Sequence, residues 1–266
     1  DAEVALNIRS SSRFTARVFE RCRGLRLVSI WGTGADNVDL AAAAASGVRV
    51  TNTPGVSAIS IAEHCLALLL AVARRIPQID RETRAGGWPR GSSLELHNKT
   101  LGIIGLGAIG SRFARLGRGI GMRVIAWTRA PRLQPEFQMV ALEELLRASD
   151  VVSLHLRLSG ESRDFIGGRE LEMMRPSAIL INTARGAIVN EEALIRALTA
   201  KRIAGAGLDV FEQEPLPAGH ALARLDNVVL TPHCAGITPE ALEAGLAMAV
   251  ENIRGFLEGR AANVVA

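Results

Sequence analysis

In the second half of the chain, three polar segments stand where short aliphatic runs end, and their side chains suit one kind of chemistry. They are Asn182 to Gly186, Asp209 to Pro215 and Thr231 to Gly236. Arg185 in the first offers the planar, paired donors that grip a carboxylate. His233 in the third can give a proton to a carbonyl oxygen and take it back in reverse. A carboxylate beside that imidazole would fix its orientation and favour its protonated form. Asp209, Glu212 and Glu214 all stand in the middle segment, and the residue types alone do not choose among them. An Arg, a carboxylate and a His at successive strand ends are what hydride transfer to a carbonyl acid requires.

The hydride source is implied by Gly105-Leu106-Gly107-Ala108-Ile109-Gly110. This glycine pattern follows an apolar run, Leu101 to Ile104, and opens a helical pattern through Phe113, Ala114 and Leu116. In that frame the first glycine permits a tight turn and the second lets backbone approach a pyrophosphate. The third lets helix and strand pack closely, with the anion at the helix N-terminus. A second strand, Arg123 to Trp127, follows at the βαβ distance. A bound dinucleotide is the expectation.

The elements that must position these residues follow from periodicity. Strands are expected at Val4–Ile8, Arg26–Ile30 and Arg49–Thr51, then at 101–104, 123–127, 151–154, 178–182, 206–210 and 228–230. Helices are expected over 15–23, a short alanine-rich stretch capped by Asp39, 57–84, 109–119, 141–147, 168–174, 190–200 and 239–258. The last six strands are nearly all apolar and alternate with helices, which implies a parallel sheet covered on both faces, the doubly wound dinucleotide fold. Gly86 to Gly91 breaks the pattern and predicts a crossing between domains. The expectation is a substrate domain over 1–92 plus 240–266 and a dinucleotide-binding Rossmann domain over 93–239.

Composition narrows the partners. The net charge of +4 comes with both signs interspersed, so the chain carries no basic track for nucleic acid. Its most apolar stretch, 65–73, is too short to span a bilayer. Three widely spaced cysteines in no metal-binding or disulfide pattern point to a reducing cytoplasm and to no metal. His64 reads as a satisfied core histidine on an apolar helix. Glu161, Arg163 and Asp164 read as a solvated face.

Taken in order and spacing, Gly105–Gly110, Asn182–Gly186, Gly207–Pro215 and Thr231–His233 resemble the D-isomer-specific 2-hydroxyacid dehydrogenase family, which includes glyoxylate/hydroxypyruvate reductases. The resemblance covers essentially the whole chain. It implies a Rossmann domain inserted in a flavodoxin-like substrate domain, a small anionic 2-keto or 2-hydroxy acid as partner, and a homodimer. It assigns the acid/base to His233, its partner to Glu214 rather than Glu212, and the substrate contact to Arg185. Thr33 and Gly34 fall in a loop that resembles the one receiving the substrate carboxylate, and Arg9 in a pair that touches substrate in some members. Cofactor contacts are expected from Gly105 to Gly110, His155, Thr183, Asp209 and Gly236. Family members carry about one more βα unit before Val4–Ile8, so an N-terminal unit is expected to be missing.

One departure bears on the cofactor. An acidic residue normally closes the second strand and binds the ribose 2′-hydroxyl of NAD. Here Thr128 and Arg129 stand at that position, as further expected cofactor contacts. A hydroxyl and a guanidinium suit a 2′-phosphate, so NADP(H) is expected over NAD(H). Two other functions share these residues by resemblance: an NAD(P)-sensing, corepressor-like protein without turnover, and a phosphite-type dehydrogenase. Formate dehydrogenases typically have Gln where this chain has Glu214, which counts against that branch.

Overall fold

Short aliphatic strands with no polar side can be buried only where helices cover both faces of a parallel sheet. The computed structural model, which describes residues 2–8, 12–129 and 136–266, has that arrangement. The elements run β1 (Val4–Ile8), α1 (Ala16–Arg21), β2 (Leu27–Trp31), α2 (Leu40–Ala45), β3 (Arg49–Thr51), α3 (Ala58–Ala73) and α4 (Ile76–Arg84). They continue with β4 (Thr100–Ile104), α5 (Ala108–Gly119), β5 (Arg123–Trp127), β6 (Gln138–Met139), α6 (Leu142–Ala148), β7 (Val151–Leu154) and α7 (Gly168–Met173). The chain closes with β8 (Ile179–Asn182), α8 (Glu191–Thr199), β9 (Gly205–Leu208), β10 (Val228–Leu230) and α9 (Pro239–Leu257). Contacts divide it into two units, one of Asp1–Ser57 with Gly236–Ala266, the other of Ala58–Ala235.

In the first unit β1, β2 and β3 form a parallel sheet in that order. Val28, Ile30, Val48, Val50 and Phe19 build its core. α9 lies on β2, where the Ser29 hydroxyl donates to the Ala249 carbonyl at 3.1 Å. Asp39 accepts from the Ala42 N–H at 2.9 Å, the cap its sequence position predicts.

The second unit holds a parallel sheet ordered β10-β9-β8-β7-β4-β5-β6. One face carries Ile104, Val152, Leu154 and Leu180 against Leu145, Leu171, Leu194 and Leu198 of α6, α7 and α8. The other carries Leu101, Ile103, Ile179 and Ile181 against Leu68 and Leu69 of α3 and Phe113 of α5. Chain order reverses direction across the sheet beside β4, which makes the C-terminal ends of β4 and β7 the place where doubly wound folds bind ligands.

Three details differ from the sequence expectation. The single helix over 57–84 is two, α3 and α4, with Arg75 left-handed between them at φ 55°. The cause is Pro77, whose ring would clash with the carbonyl four residues back, on Ala73, where α3 ends. The contacts divide the chain at 57/58 and 235/236 rather than at Gly86–Gly91, because α3 packs on the larger sheet. A Cβ on Gly207 of β9 would stand 2.9 Å from the Leu68 Cβ, so α3 lies in a groove that only glycine leaves open. Finally, β6 is a two-residue strand without an aliphatic run to announce it.

Candidate active site

β8 delivers Arg185 through a turn that its own last residue builds. The Asn182 side chain accepts from the Ala184 N–H at 3.0 Å and donates to the Arg185 carbonyl at 2.9 Å. Such Asx turns fix the backbone just beyond a strand. Arg185 is half-buried, and its Nη1 donates to the Ala184 carbonyl at 2.7 Å. Gly186 then lies against the backbone of Phe211 and Glu212, so the segments after β8 and β9 touch.

The segment after β9 carries the carboxylate that meets His233, and that carboxylate is Glu214. Its Oε2 is 2.7 Å from His233 Nδ1, and its Oε1 accepts from the Phe211 N–H at 3.0 Å. Partial burial pushes the Glu214 carboxyl up. The hydrogen bonds from His233 and Phe211, with the charges of His233 and Arg185, outweigh that and hold it below its ordinary value. Glu214 is therefore ionised at neutral pH.

Asp209 is fully buried and holds the His233 segment by its backbone. Its Oδ1 accepts from the Thr231 hydroxyl at 2.6 Å and the Cys234 N–H at 2.9 Å. Its Oδ2 accepts from the Ala235 N–H at 2.9 Å, and its carbonyl from the His233 N–H at 2.7 Å. His233 is left-handed, at φ 51°, within this frame. His64 of α3 joins the cluster, its Nε2 2.9 Å from the Thr231 Oγ1 and 3.6 Å from Asp209. Sequence patterning left His64 in the core; only the strand order brings it to Thr231. Among the described residues His64, Asp209 and Cys234 approach one another within 4.8 Å. The Asp209 oxygens are already taken by protein donors, so the cluster is built as a hydrogen-bond frame.

The glycine loop has the shape a dinucleotide needs. Gly105 is left-handed at φ 101°, and a Cβ there would come 2.7 Å from the His155 carbonyl. A Cβ on Gly110 would come 2.0 Å from the Gly105 carbonyl, so α5 packs tightly on β4. Gly107, the N-cap of α5, has nothing within 4 Å of its missing Cβ and is exposed with Ala108, while Leu106 and Ile109 are half-buried. Open space at a helix N-terminus, lined by backbone, is where a pyrophosphate fits.

The remaining expected contacts stand after other strands. The Thr183 hydroxyl pairs with Cys65 Sγ at 3.1 Å. Burial, against the Thr183 hydrogen bond, pushes that thiol up to about 12. His155 lies edge-on to Phe113 with its Nε2 2.9 Å from the Ser153 hydroxyl, and desolvation pulls its pKa down to about 3. Thr128 is half-buried at the end of β5, and exposed Arg129 makes an ion pair with Glu161. In the first unit the Thr33 hydroxyl donates to the Thr53 carbonyl at 3.2 Å, and Asn52 donates to the Thr33 carbonyl at 2.7 Å. Gly34 follows in the same turn, and half-buried Gly236 opens the segment leading to α9. Arg9 lies outside the described residues.

Comparison with known proteins decides among families. Residues 66–235 match the model of the D-isomer specific 2-hydroxyacid dehydrogenase, NAD binding domain. The chain belongs to that family. It is an NAD(P)-dependent dehydrogenase, similar to a glyoxylate reductase from Aeropyrum pernix, with 43% identity over 94% of this chain and 78% of that one. An acyclic imino acid reductase solved with NADPH and D-Arg superposes with a TM-score of 0.93 at 32% identity, over 100% of this chain and 86% of that one. D-Lactate dehydrogenase from Aquifex aeolicus, solved with NAD and lactic acid, gives 0.90 at 33% identity, over 98% and 84%. No helix among the described residues is long and apolar enough to cross a membrane.

Proposed function

We propose that this dehydrogenase reduces a small 2-keto acid, glyoxylate being the first to test, to its D-2-hydroxy acid, with NADP(H) preferred. The observation that carries the catalytic assignment is the Glu214–His233 contact of 2.7 Å, at the strand end next to the one bearing Arg185. Bound nicotinamide dinucleotide supplies or accepts the hydride. Glu214 holds the Nδ1 side of the imidazole, which leaves Nε2 to give a proton to the carbonyl oxygen during reduction and to recover it in the reverse direction. The ionised Glu214 carboxylate holds the imidazole in one orientation, Nδ1 toward it at 2.7 Å. Arg185 meets the substrate carboxylate and the polarised oxygen with paired donors. Thr128 and Arg129 support the cofactor preference, as donors for a 2′-phosphate.

Replacing His233 by Ala lowers kcat on glyoxylate by about 10²–10⁴, with NADPH binding retained. Near-normal turnover in that variant would remove His233 from the chemistry. Arg185→Ala raises the KM for the keto acid while leaving dinucleotide affinity in place.

A further inference from the structure

Arg129 stands two residues beyond β5, where doubly wound folds read the ribose 2′ position. A carboxylate reaches the same place from another part of the chain, for the Arg129 guanidinium forms an ion pair with Glu161. Glu161 belongs to the segment after β7, and β4 lies between β7 and β5 in the sheet. The segment must therefore span the C-terminal end of β4, the strand that carries the glycine loop, to bring its acid to Arg129.

That segment is a built turn. Ser162, only 2% exposed, accepts from the Ser159 N–H at 2.8 Å and donates to the Arg157 carbonyl at 2.7 Å. Phe165 lies against Trp127, the last residue of β5, with ring centroids 5.3 Å apart. On either side of Phe165, the Asp164 N–H donates to the Ala187 carbonyl at 2.9 Å and Ile166 bridges to Val189. The turn presenting Glu161 is thus fixed to β5 on one side and to the segment after β8 on the other.

We propose that Glu161 is a specificity-determining residue: it competes with a 2′-phosphate for Arg129 and supplies, from a second loop, the acid that the end of β5 lacks. The inference deepens the cofactor reading above and rests on Arg129 meeting the 2′ position. A 2′-phosphate brings close to two negative charges, which Glu161 repels and from which it withholds the guanidinium. A 2′-hydroxyl instead gives Glu161 a hydrogen bond to accept, as the usual strand-end acid does. Glu161 therefore moderates the NADP(H) preference that Thr128 and Arg129 set. Both side chains are at least half exposed, so salt screens the effect and its size is modest.

The test is titration calorimetry of NADP⁺ and NAD⁺ into the wild-type chain, Glu161→Gln, Arg129→Gln and the double variant, at low and high salt. These surface substitutions leave the fold standing, which thermal melts verify. Glu161→Gln tightens NADP⁺ by about three- to tenfold without tightening NAD⁺. The gain shrinks at high salt and vanishes in the Arg129→Gln background. An unchanged NADP⁺/NAD⁺ ratio in Glu161→Gln, while Arg129→Gln weakens NADP⁺, overturns the role of Glu161 alone. Undiminished NADP⁺ affinity in Arg129→Gln overturns the reading of the 2′ site beneath it. A Glu161→Gln gain that persists without Arg129 overturns the competition.

Discussion

Substituting Gly186 by Ala adds one methyl group at the joint between the segments that carry Arg185 and Glu214. The new Cβ would stand 1.9 Å from the Phe211 carbonyl carbon, 2.1 Å from its oxygen and 2.4 Å from the Glu212 nitrogen. Ordinary van der Waals contact begins near 3.4 Å, so the two backbones must part by about 1.5 Å. Neither side is a flexible side chain that could swing away. The displacement passes to the proposed catalytic pair, because the Phe211 N–H holds Glu214 Oε1 and Glu214 Oε2 holds His233 Nδ1. Overpacking of this kind costs about 1–3 kcal/mol of stability. A misplacement of about 1 Å in catalytic groups costs on the order of 10²-fold in rate. Steady-state kinetics with glyoxylate and NADPH, read beside dinucleotide binding and thermal melts, separate the two effects. The expected result is a kcat lowered about 10²-fold in a folded enzyme whose NADPH affinity stays within about threefold of wild type. A Gly186→Ala enzyme with wild-type kcat would refute the claim that this contact sets the position of Glu214 and His233.

The glycine loop yields a contrasting pair: Gly107→Ala, at φ −79° with open space around its Cβ, keeps stability within about 1 kcal/mol but weakens dinucleotide binding at least about tenfold. Gly105→Ala, left-handed and facing the His155 carbonyl, costs about 2–3 kcal/mol in denaturant melts; equal stability of the two variants would contradict this division. His155 adds a pH dependence: its folded pKa of about 3 lies below its ordinary 6.5, so the unfolded chain binds the extra proton and stability falls as pH drops through that window. Between about pH 7.5 and 5 the wild-type chain loses about 2 kcal/mol more than His155→Asn, and equal losses in urea melts would refute the assignment.

The parts of the molecule legible in its sequence are those whose signal is local. Gly105 to Gly110 follow an aliphatic run and open a helix, so turn, strand and cap declare themselves within a few residues. Arg185 and His233 stand at strand ends for the same reason. The carboxylate was different: Asp209, Glu212 and Glu214 share one short segment, and only resemblance selected Glu214. In the fold, the backbone turn held by the Phe211 N–H brings Glu214 to His233, while Asp209 is buried in the frame beneath it. The break between α3 and α4 was local too, since Pro77 blocks the carbonyl of Ala73, but the aliphatic pattern on either side masked it.

What the sequence withheld is partnership. The apolar face of α3 states that it will be buried, but not against which sheet; that is written in Gly207, on a strand far along the chain. His64 carries no mark of Thr231, which strand order alone brings within 2.9 Å. Glu161 has the look of a solvated acid because its neighbours in sequence are polar and charged, and its partner Arg129 lies across β4. The charge of a residue is a property of the residue; the charge it answers is a property of the fold. On the cofactor reading proposed above, Arg129 alone would receive a 2′-phosphate, whereas Arg129 held by Glu161 is a cation that the phosphate would first have to win.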